Sequence, residues 1–275
     1  STPMEDEKEN PDTQTLFKES FKGKIKDKYH FSQKLASGGF GIVYLAEDRT
    51  TGKKYAIKAI QKKKVKDFNT FINEVKILQA LDHPNIIKLY EIWEWNEVCF
   101  LVLEYCEGGE LFHYIIEKKF LSEEVAAFIM RQLFSALQYL HDHKISHRDI
   151  KPENFMLYKK DDMTCVKMID FGLSKDFSEA NTMSTMSGSP YYIAPEVFLQ
   201  KYNCKIDMWS MGVVLYIMLS GKVPFPGRDE REIISNVLKG EFHFNHQAFQ
   251  SVSDDCKDLI RRCLVKDFNE RISAQ

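Results

Sequence analysis

A change of hydrophobic period near residue 105 constrains this chain more than any other feature. From Tyr29 to Glu104 apolar residues fall in short runs, Phe31–Leu35, Ile42–Ala46, Tyr55–Ile60 and Val98–Leu103, with a Thr51-Gly52 turn between the second and third; that is strand patterning. One helix interrupts it: Phe68, Phe71, Ile72, Val75 and Leu78 recur at helical spacing, with Glu74 at the margin of the stripe. After the turn Glu107-Gly108-Gly109-Glu110 the pattern becomes helical, and Val125, Ile129, Leu133, Leu137 and Leu140 form a stripe behind an N-cap at Ser122. Short strands at Phe155–Tyr158 and Cys165–Ile169 flank an Asp161-Asp162 turn, and helices resume near Asp207. The reading is an α+β chain with a small β-rich lobe over residues 28–104 and a larger α-rich lobe over 105–275. The join at 104–109 is the expected hinge, and clefts between lobes are where ligands bind.

Charge and cysteine usage narrow the function classes. Against 38 Lys+Arg stand 40 Asp+Glu, a net of −2, which excludes the basic excess of a dedicated nucleic-acid binder. The 275 residues are 44% hydrophobic and 28% charged, an ordinary globular composition that needs no disulfide or metal to hold a core. Six cysteines, at 99, 106, 165, 204, 256 and 263, form no CxxC pair and have no histidines at zinc-ligand spacing, so they are expected to be reduced and mostly buried. The longest apolar run, Met208–Leu219, is too short to span a bilayer and is expected to be a core helix. Residues 1–27 carry only scattered apolar side chains and are expected to be a tail, either flexible or packed on the domain surface. No calcium loop of the DxDxDG type occurs, and the Ser1-Thr2-Pro3 start hides any original N-terminal signal.

Two local features point to phosphate chemistry. Gly38, Gly39 and Gly41 lie between strands in Leu35-Ala36-Ser37-Gly38-Gly39-Phe40-Gly41-Ile42-Val43, where backbone N–H groups can close over phosphates; a plain turn is the competing reading. Lys58 ends the apolar run Tyr55-Ala56-Ile57, and an ammonium there needs an anion, either a ligand phosphate or Glu74, unless it snorkels to the surface.

Downstream, His147-Arg148-Asp149-Ile150-Lys151-Pro152-Glu153-Asn154, then Asp170-Phe171-Gly172, then Ala194-Pro195-Glu196 occur in order. With these the chain resembles a eukaryotic-type protein kinase from about Tyr29 to Arg271, which implies the bilobal kinase fold and the cofactors ATP and Mg²⁺. The resemblance implies that Leu35, Ala36, Ser37, Gly38, Gly39, Phe40, Gly41 and Val43 cover ATP, and that Lys58, paired with Glu74, holds its α/β-phosphates. It further implies that Val43, Ala56 and Met156 sandwich the adenine, that Leu103 is the gatekeeper, and that backbone groups of Glu104 and Cys106 bond the adenine edge. Cys106 at the hinge is either a buried spectator or a point of covalent attack. Asp149 would accept or orient the substrate hydroxyl proton, Lys151 would steady the γ-phosphoryl, and Asn154 and Asp170 would supply oxygen ligands to Mg²⁺. Leu78, Leu89, His147 and Phe171 would stack as an apolar spine, Glu196 would pair with Arg271, and Asp207 would anchor the catalytic-loop backbone from the helix of Trp209 and Gly212.

Lys151 two residues after Asp149, and Gly188-Ser189-Pro190, follow the serine/threonine pattern. Glu110 and Glu153 match positions that receive an arginine in basophilic relatives, so an R-x-x-S/T preference is expected; the alternative is contact with the ATP ribose or solvent. Ala36 departs from the family's first loop glycine and is tolerated if its backbone is extended. Thr185 aligns with a common activation-segment phosphosite that could pair with Arg148, yet no arginine lies three residues before it. Ile57-Lys58-Ala59-Ile60 with Lys62-Lys63-Lys64, Ser189–Glu196 and Ser220-Gly221-Lys222-Val223-Pro224-Phe225 resemble the calcium-dependent kinases of plants and apicomplexans. In those an EF-hand module follows the kinase domain, and it is expected to lie outside a chain that stops at Gln275 with the helical lobe truncated near its end. The lysine run at 62–66 is read as a solvated face, with a membrane or regulatory contact as the alternative. Expected partners are protein substrates and that regulatory module, without nucleic acid or a transmembrane segment. The expected location is the cytoplasm, with membrane attachment through an unseen N-terminal lipid left open. A small-molecule phosphotransferase is disfavoured by Ala194-Pro195-Glu196, and a nucleotide-binding pseudokinase scaffold has only Ala36 in its support.

Overall fold

Strict alternation in Lys54–Gln61 sets the first sheet: Tyr55, Ile57 and Ala59 point to one face and Ala56, Lys58 and Ile60 to the other. A computed structural model describes residues 20–38, 41–65, 68–172, 174–176, 190–199 and 202–275. The chain divides into two units, the first running to Asp82 and including Ile87–Tyr105, the second made of His83–Ile86 and Cys106–Gln275.

The first unit holds a six-stranded sheet in the order β1-β5-β6-β4-β3-β2. Its strands are β1 (Phe21–Lys22), β2 (Tyr29–Gly38), β3 (Gly41–Asp48), β4 (Lys54–Gln61), β5 (Leu89–Trp95) and β6 (Val98–Glu104). All pairings are antiparallel except β1 on β5. Helix α2 (Phe68–Ala80) covers one face, where Phe71, Ile72 and Val75 pack with Ile60, Ile92, Cys99 and Leu101. Each such side chain is worth about 1.5–3 kcal/mol when fully buried. The opposite face carries a second cluster of Ile25, Tyr29, Ala46, Ile57 and Val102.

Of the tail expected over residues 1–27, residues 20–27 are described and residues 1–19 lie outside the described residues. Helix α1 (Ile25–Lys28) buries Ile25, and Phe21 stacks on Trp93 with ring centroids 5.0 Å apart. Half-buried Glu91 holds this corner, accepting from the Tyr29 hydroxyl at 2.9 Å and the Trp93 indole N–H at 2.8 Å while pairing with Lys28.

In the second unit, helix α4 (Glu123–Asp142) buries Ile129, Leu133, Leu137 and Leu140, and the Ser122 hydroxyl caps it by accepting from the Val125 N–H at 3.4 Å. Helix α6 (Ile206–Ser220) is buried at every residue but Ser210, as its nearly unbroken apolar run predicts. At Gly212 an added Cβ would lie 2.6 Å from the Cβ of Cys263 on α8 (Asp254–Cys263), so only glycine allows this helix approach. The remaining helices are α3 (Leu111–Lys118), α5 (Pro195–Phe198) and α7 (Glu230–Lys239). Strands β7 (Gly109–Glu110), β9 (Phe155–Lys159) and β10 (Asp162–Met168) form a sheet in the order β10-β9-β7, and β8 (Ile145–Ser146) pairs with β11 (Lys175–Asp176). Buried Asn85 ties His83–Ile86 into this unit, its amide donating to Gln132 Oε1 and the Val166 carbonyl, both at 2.9 Å. The six cysteines are free, three buried and three partly so. Among the described residues no helix is long and apolar enough to cross a membrane.

Candidate active site

In the first unit, strand register gathers one set of the residues singled out in the sequence. Val43 lies opposite Lys58, Lys58 opposite Leu101, and Ala56 opposite Leu103, so Val43, Ala56, Lys58 and Leu103 share the face that α2 covers. An ammonium among these side chains needs a counter-charge. Glu74 supplies it from the margin of the α2 stripe, with Lys58 Nζ to Glu74 Oε1 at 2.9 Å and Glu74 buried. The result is a cation fixed beside an apolar plate, suited to phosphates next to a flat ring. Glu104 ends β6 with its N–H donated to the Lys88 carbonyl at 2.9 Å.

The glycine-rich segment is the β2–β3 hairpin: Ala36 pairs with Val43, Ser37 with Ile42 and Gly38 with Gly41, while Gly39 and Phe40 lie outside the described residues. Leu35, Ala36 and Ser37 are exposed on the strand leading into it. Ala36 sits in extended backbone and is not among the positive-φ residues, so its methyl is accommodated. Gly41 is different: φ is +150°, and a Cβ there would lie 2.2 Å from the Ala59 carbonyl oxygen. Gly41→Ala is therefore expected to lower stability in urea unfolding by about 1–3 kcal/mol, the cost of a backbone held in a disallowed region. Ala36→Gly should change it by less than about 1 kcal/mol; equal effects would remove the distinction.

The second unit gathers the other set on one loop. Asp149 is 9% exposed. Its Oδ2 accepts from Lys151 Nζ at 2.7 Å and from the Asn154 amide at 2.9 Å, and its backbone carbonyl accepts from the same amide at 2.7 Å. Among the described residues Oδ1 has no hydrogen-bond partner, so that oxygen can meet an incoming hydroxyl. His147 is fully buried and its ring lies 5.1 Å from Phe171. Its Nδ1 accepts from the Asp149 N–H at 3.3 Å, which leaves Nε2 to donate to the Ile169 carbonyl at 3.2 Å. Both ring nitrogens are thus engaged structurally, as the packed reading of this residue expects.

Asp207 holds the loop from the start of α6. Its carboxylate accepts from the N–H groups of His147 at 2.9 Å and Arg148 at 2.8 Å, the Ser146 hydroxyl at 2.9 Å and His141 Nε2 at 2.9 Å. Burial alone would raise this carboxyl, but the bond and charge of His141 and the Arg148 N–H outweigh it and hold Asp207 below the ordinary aspartate value. His141 and Ser146 are partners of Asp207 that the sequence reading missed; a lone histidine in the last turn of a helix carries no signal of its own. Arg148 and Asp170 both adopt left-handed backbone, φ +69° and +62°, a conformation that costs non-glycine residues and that accumulates at functional sites.

The donor set suits magnesium. Asn154 spends its amide N–H₂ on Asp149, leaving its carbonyl oxygen, and the Asp170 carboxylate is exposed with one oxygen accepting from the Gly172 N–H at 3.2 Å. The Ile169 N–H donates to the Asn154 backbone carbonyl at 2.9 Å, which brings the two segments side by side. These are hard oxygen donors of the kind Mg²⁺ takes.

Met156 on β9 pairs with Glu110 on β7. Cys106 is buried. Glu110 Oε2 lies 3.4 Å from His113 Nδ1, and Glu153 Oε2 is buried with no hydrogen-bond partner among the described residues. Glu196 and Arg271 form a buried two-pronged pair at 2.5 and 2.9 Å, with the remaining guanidinium donors on the carbonyls of Val265, Lys205 and Lys266. Thr185 and Gly188-Ser189 lie outside the described residues.

The model of the family described as "protein kinase domain" matches residues 29–275. The chain belongs to this family. It is 46% identical over 257 residues to calcium-dependent protein kinase 3 of Plasmodium yoelii yoelii, covering 93% of this chain and 48% of that protein. Similarity to calcium-dependent protein kinase 5 of Plasmodium falciparum (isolate 3D7) is 43% over 252 residues, covering 91% and 44%. This kinase domain thus spans about half the length of the curated relatives it matches. Its α+β make-up, a strand-rich first unit and a helical second one, is that of the family.

Proposed function

We propose that this kinase domain is the catalytic part of a serine/threonine protein kinase that transfers the γ-phosphoryl group of ATP to protein hydroxyls. The observation that carries the reading is the loop that Asp207 anchors at the N–H groups of His147 and Arg148 and on which Asp149, Lys151 and Asn154 form one hydrogen-bonded cluster. In this reading Lys58, fixed by Glu74, binds the α/β-phosphates, and Leu35–Gly41 cover them. Val43, Ala56, Leu103 and Met156 bound the adenine, with backbone groups of Glu104 and Cys106 at its edge. Asp149 Oδ1 orients the substrate hydroxyl and takes its proton as the oxygen–phosphorus bond forms and the bond to the ADP oxygen breaks. Lys151 lies against the transferring group. Asn154 and Asp170 would hold Mg²⁺, which supplies neutralisation of phosphate charge.

The half-exposed Glu110 supports a basophilic subsite, since an accessible carboxylate can pair with a substrate guanidinium. The relatives are named for calcium dependence, and we propose that calcium acts on this kinase through an EF-hand module outside these 275 residues. The test is γ-phosphate transfer from MgATP to paired R-x-x-S and A-x-x-S peptides, with and without calcium. Expected is at least about tenfold preference for the arginine peptide, from one charge-assisted contact, unaffected by calcium and reduced by Glu110→Ala. An unchanged profile in that variant would remove Glu110 from specificity. Nucleotide binding without transfer to either peptide would contradict the catalytic reading.

A further inference from the structure

The first sheet has a second, unassigned feature on the face turned away from Lys58. A groove of about 390 Å³ is lined there by Phe31, Ile42, Tyr44, Ala59, Val98 and Phe100, with Lys26 and Lys64 also on its wall. The strand register explains it. Ile42, Ala59, Phe100, Trp93 and Phe21 lie directly opposite one another on consecutive strands, a single apolar row across five strands. Helix α1 covers one end of this face with Ile25, and the small Ala59 leaves a depression between Ile42 and Phe100. Both lysines are exposed, and neither has an ion-pair partner among the described residues. An apolar trough flanked by two uncompensated ammonium groups suits a peptide that combines bulky apolar side chains with carboxylates.

The chain carries such a peptide in its sequence, N-terminal to Phe21. Glu5, Asp6, Glu7, Glu9 and Asp12 against Lys8 give residues 5–17 a net charge of 1 − 5 = −4, and the segment ends in Leu16-Phe17. Reach requires an extended segment. Phe21 stands three strands from Ala59 in the same row, about 14 Å at normal strand spacing, and the four residues from Phe17 to Phe21 span about 14 Å when fully extended. We propose that the groove is a docking site for the chain's own Glu5–Phe17, with Leu16 and Phe17 in the trough and the carboxylates beside Lys26 and Lys64. Seated there, the segment would brace β3 from behind, one residue from Val43.

The test is zero-length carbodiimide coupling of carboxylates to lysines on the full 275-residue chain, read by peptide mapping of the monomer fraction. Expected are intramolecular links from Glu5–Asp12 to Lys26 and Lys64 that fall at least tenfold in the Leu16→Ser/Phe17→Ser variant, whose acidic residues are intact. Independent support would come from a synthetic peptide of residues 1–19 binding the chain lacking those residues, with binding lost in Lys26→Glu/Lys64→Glu. Links spread evenly over Lys24, Lys26, Lys28 and Lys62–Lys64 and indifferent to the Leu16/Phe17 change would overturn the proposal. Links confined to a dimer fraction would overturn it in favour of a second copy. If no link forms and Lys26→Glu/Lys64→Glu instead abolishes sedimentation with phosphatidylserine vesicles, the groove is a lipid contact and the proposal fails.

Discussion

Asp149→Asn is expected to leave nucleotide binding within about threefold of the unmodified kinase domain while transfer falls by about 10²–10⁴, the usual contribution of a positioned general base. The substitution is nearly isosteric, and an amide oxygen can still accept from Lys151 or Asn154, the two donors on Oδ2. What it removes is the carboxylate that takes the proton in the proposed mechanism, together with the charge opposite Lys151. Single-turnover transfer and calorimetric titration with nucleotide separate the two effects. A transfer rate within tenfold of the unmodified chain would take Asp149 out of the proton-transfer role. Lost nucleotide binding in a variant that melts normally would instead place Asp149 on the nucleotide.

The parts legible in the sequence were those in which one side chain signals its environment. The helix carrying Phe71, Ile72, Val75 and Leu78 was readable because its apolar stripe repeats over three turns, whereas the residues alone left Lys58 with a ligand phosphate, Glu74 or solvent as partner and only the family resemblance implied Glu74. Ser122 and the Met208–Leu219 run were readable for equally local reasons. Strand β5 was not, since Leu89–Trp95 reads Leu-Tyr-Glu-Ile-Trp-Glu-Trp and its glutamates interrupt the run; the structure spends Glu91 on Tyr29, Trp93 and Lys28. Residues 21–28 have a single aliphatic residue, Ile25, among four lysines, one glycine and one aspartate, so their packing depends on that distant corner rather than on propensity. At the site, the motifs located Asp149, Asn154 and Asp170, but the left-handed backbone at Arg148 and Asp170 and the His141–Asp207 contact arise only from tertiary packing.

Asp207→Asn tests that packing directly. The carboxylate serves four donors at once, whereas an amide offers one acceptor oxygen and turns an N–H₂ toward the remaining donors. Removing one member of a buried charged cluster costs about 3–5 kcal/mol, and a loss of that size is expected in urea unfolding at neutral pH. Because the same carboxylate fixes the N–H groups of His147 and Arg148, the two residues before Asp149, transfer should fall with stability. The pH dependence isolates the charge. The carboxyl of Asp207 is lowered in the folded protein relative to its ordinary value of 3.8, so its contribution is fully present above that value and is lost as pH falls through the still lower folded value. The stability gap between the unmodified chain and Asp207→Asn should therefore narrow on acidification below the ordinary aspartate value. A gap that keeps its full size throughout that acid range would mean that shape rather than charge holds the loop, and a gap near zero at pH 7 would remove Asp207 as its anchor.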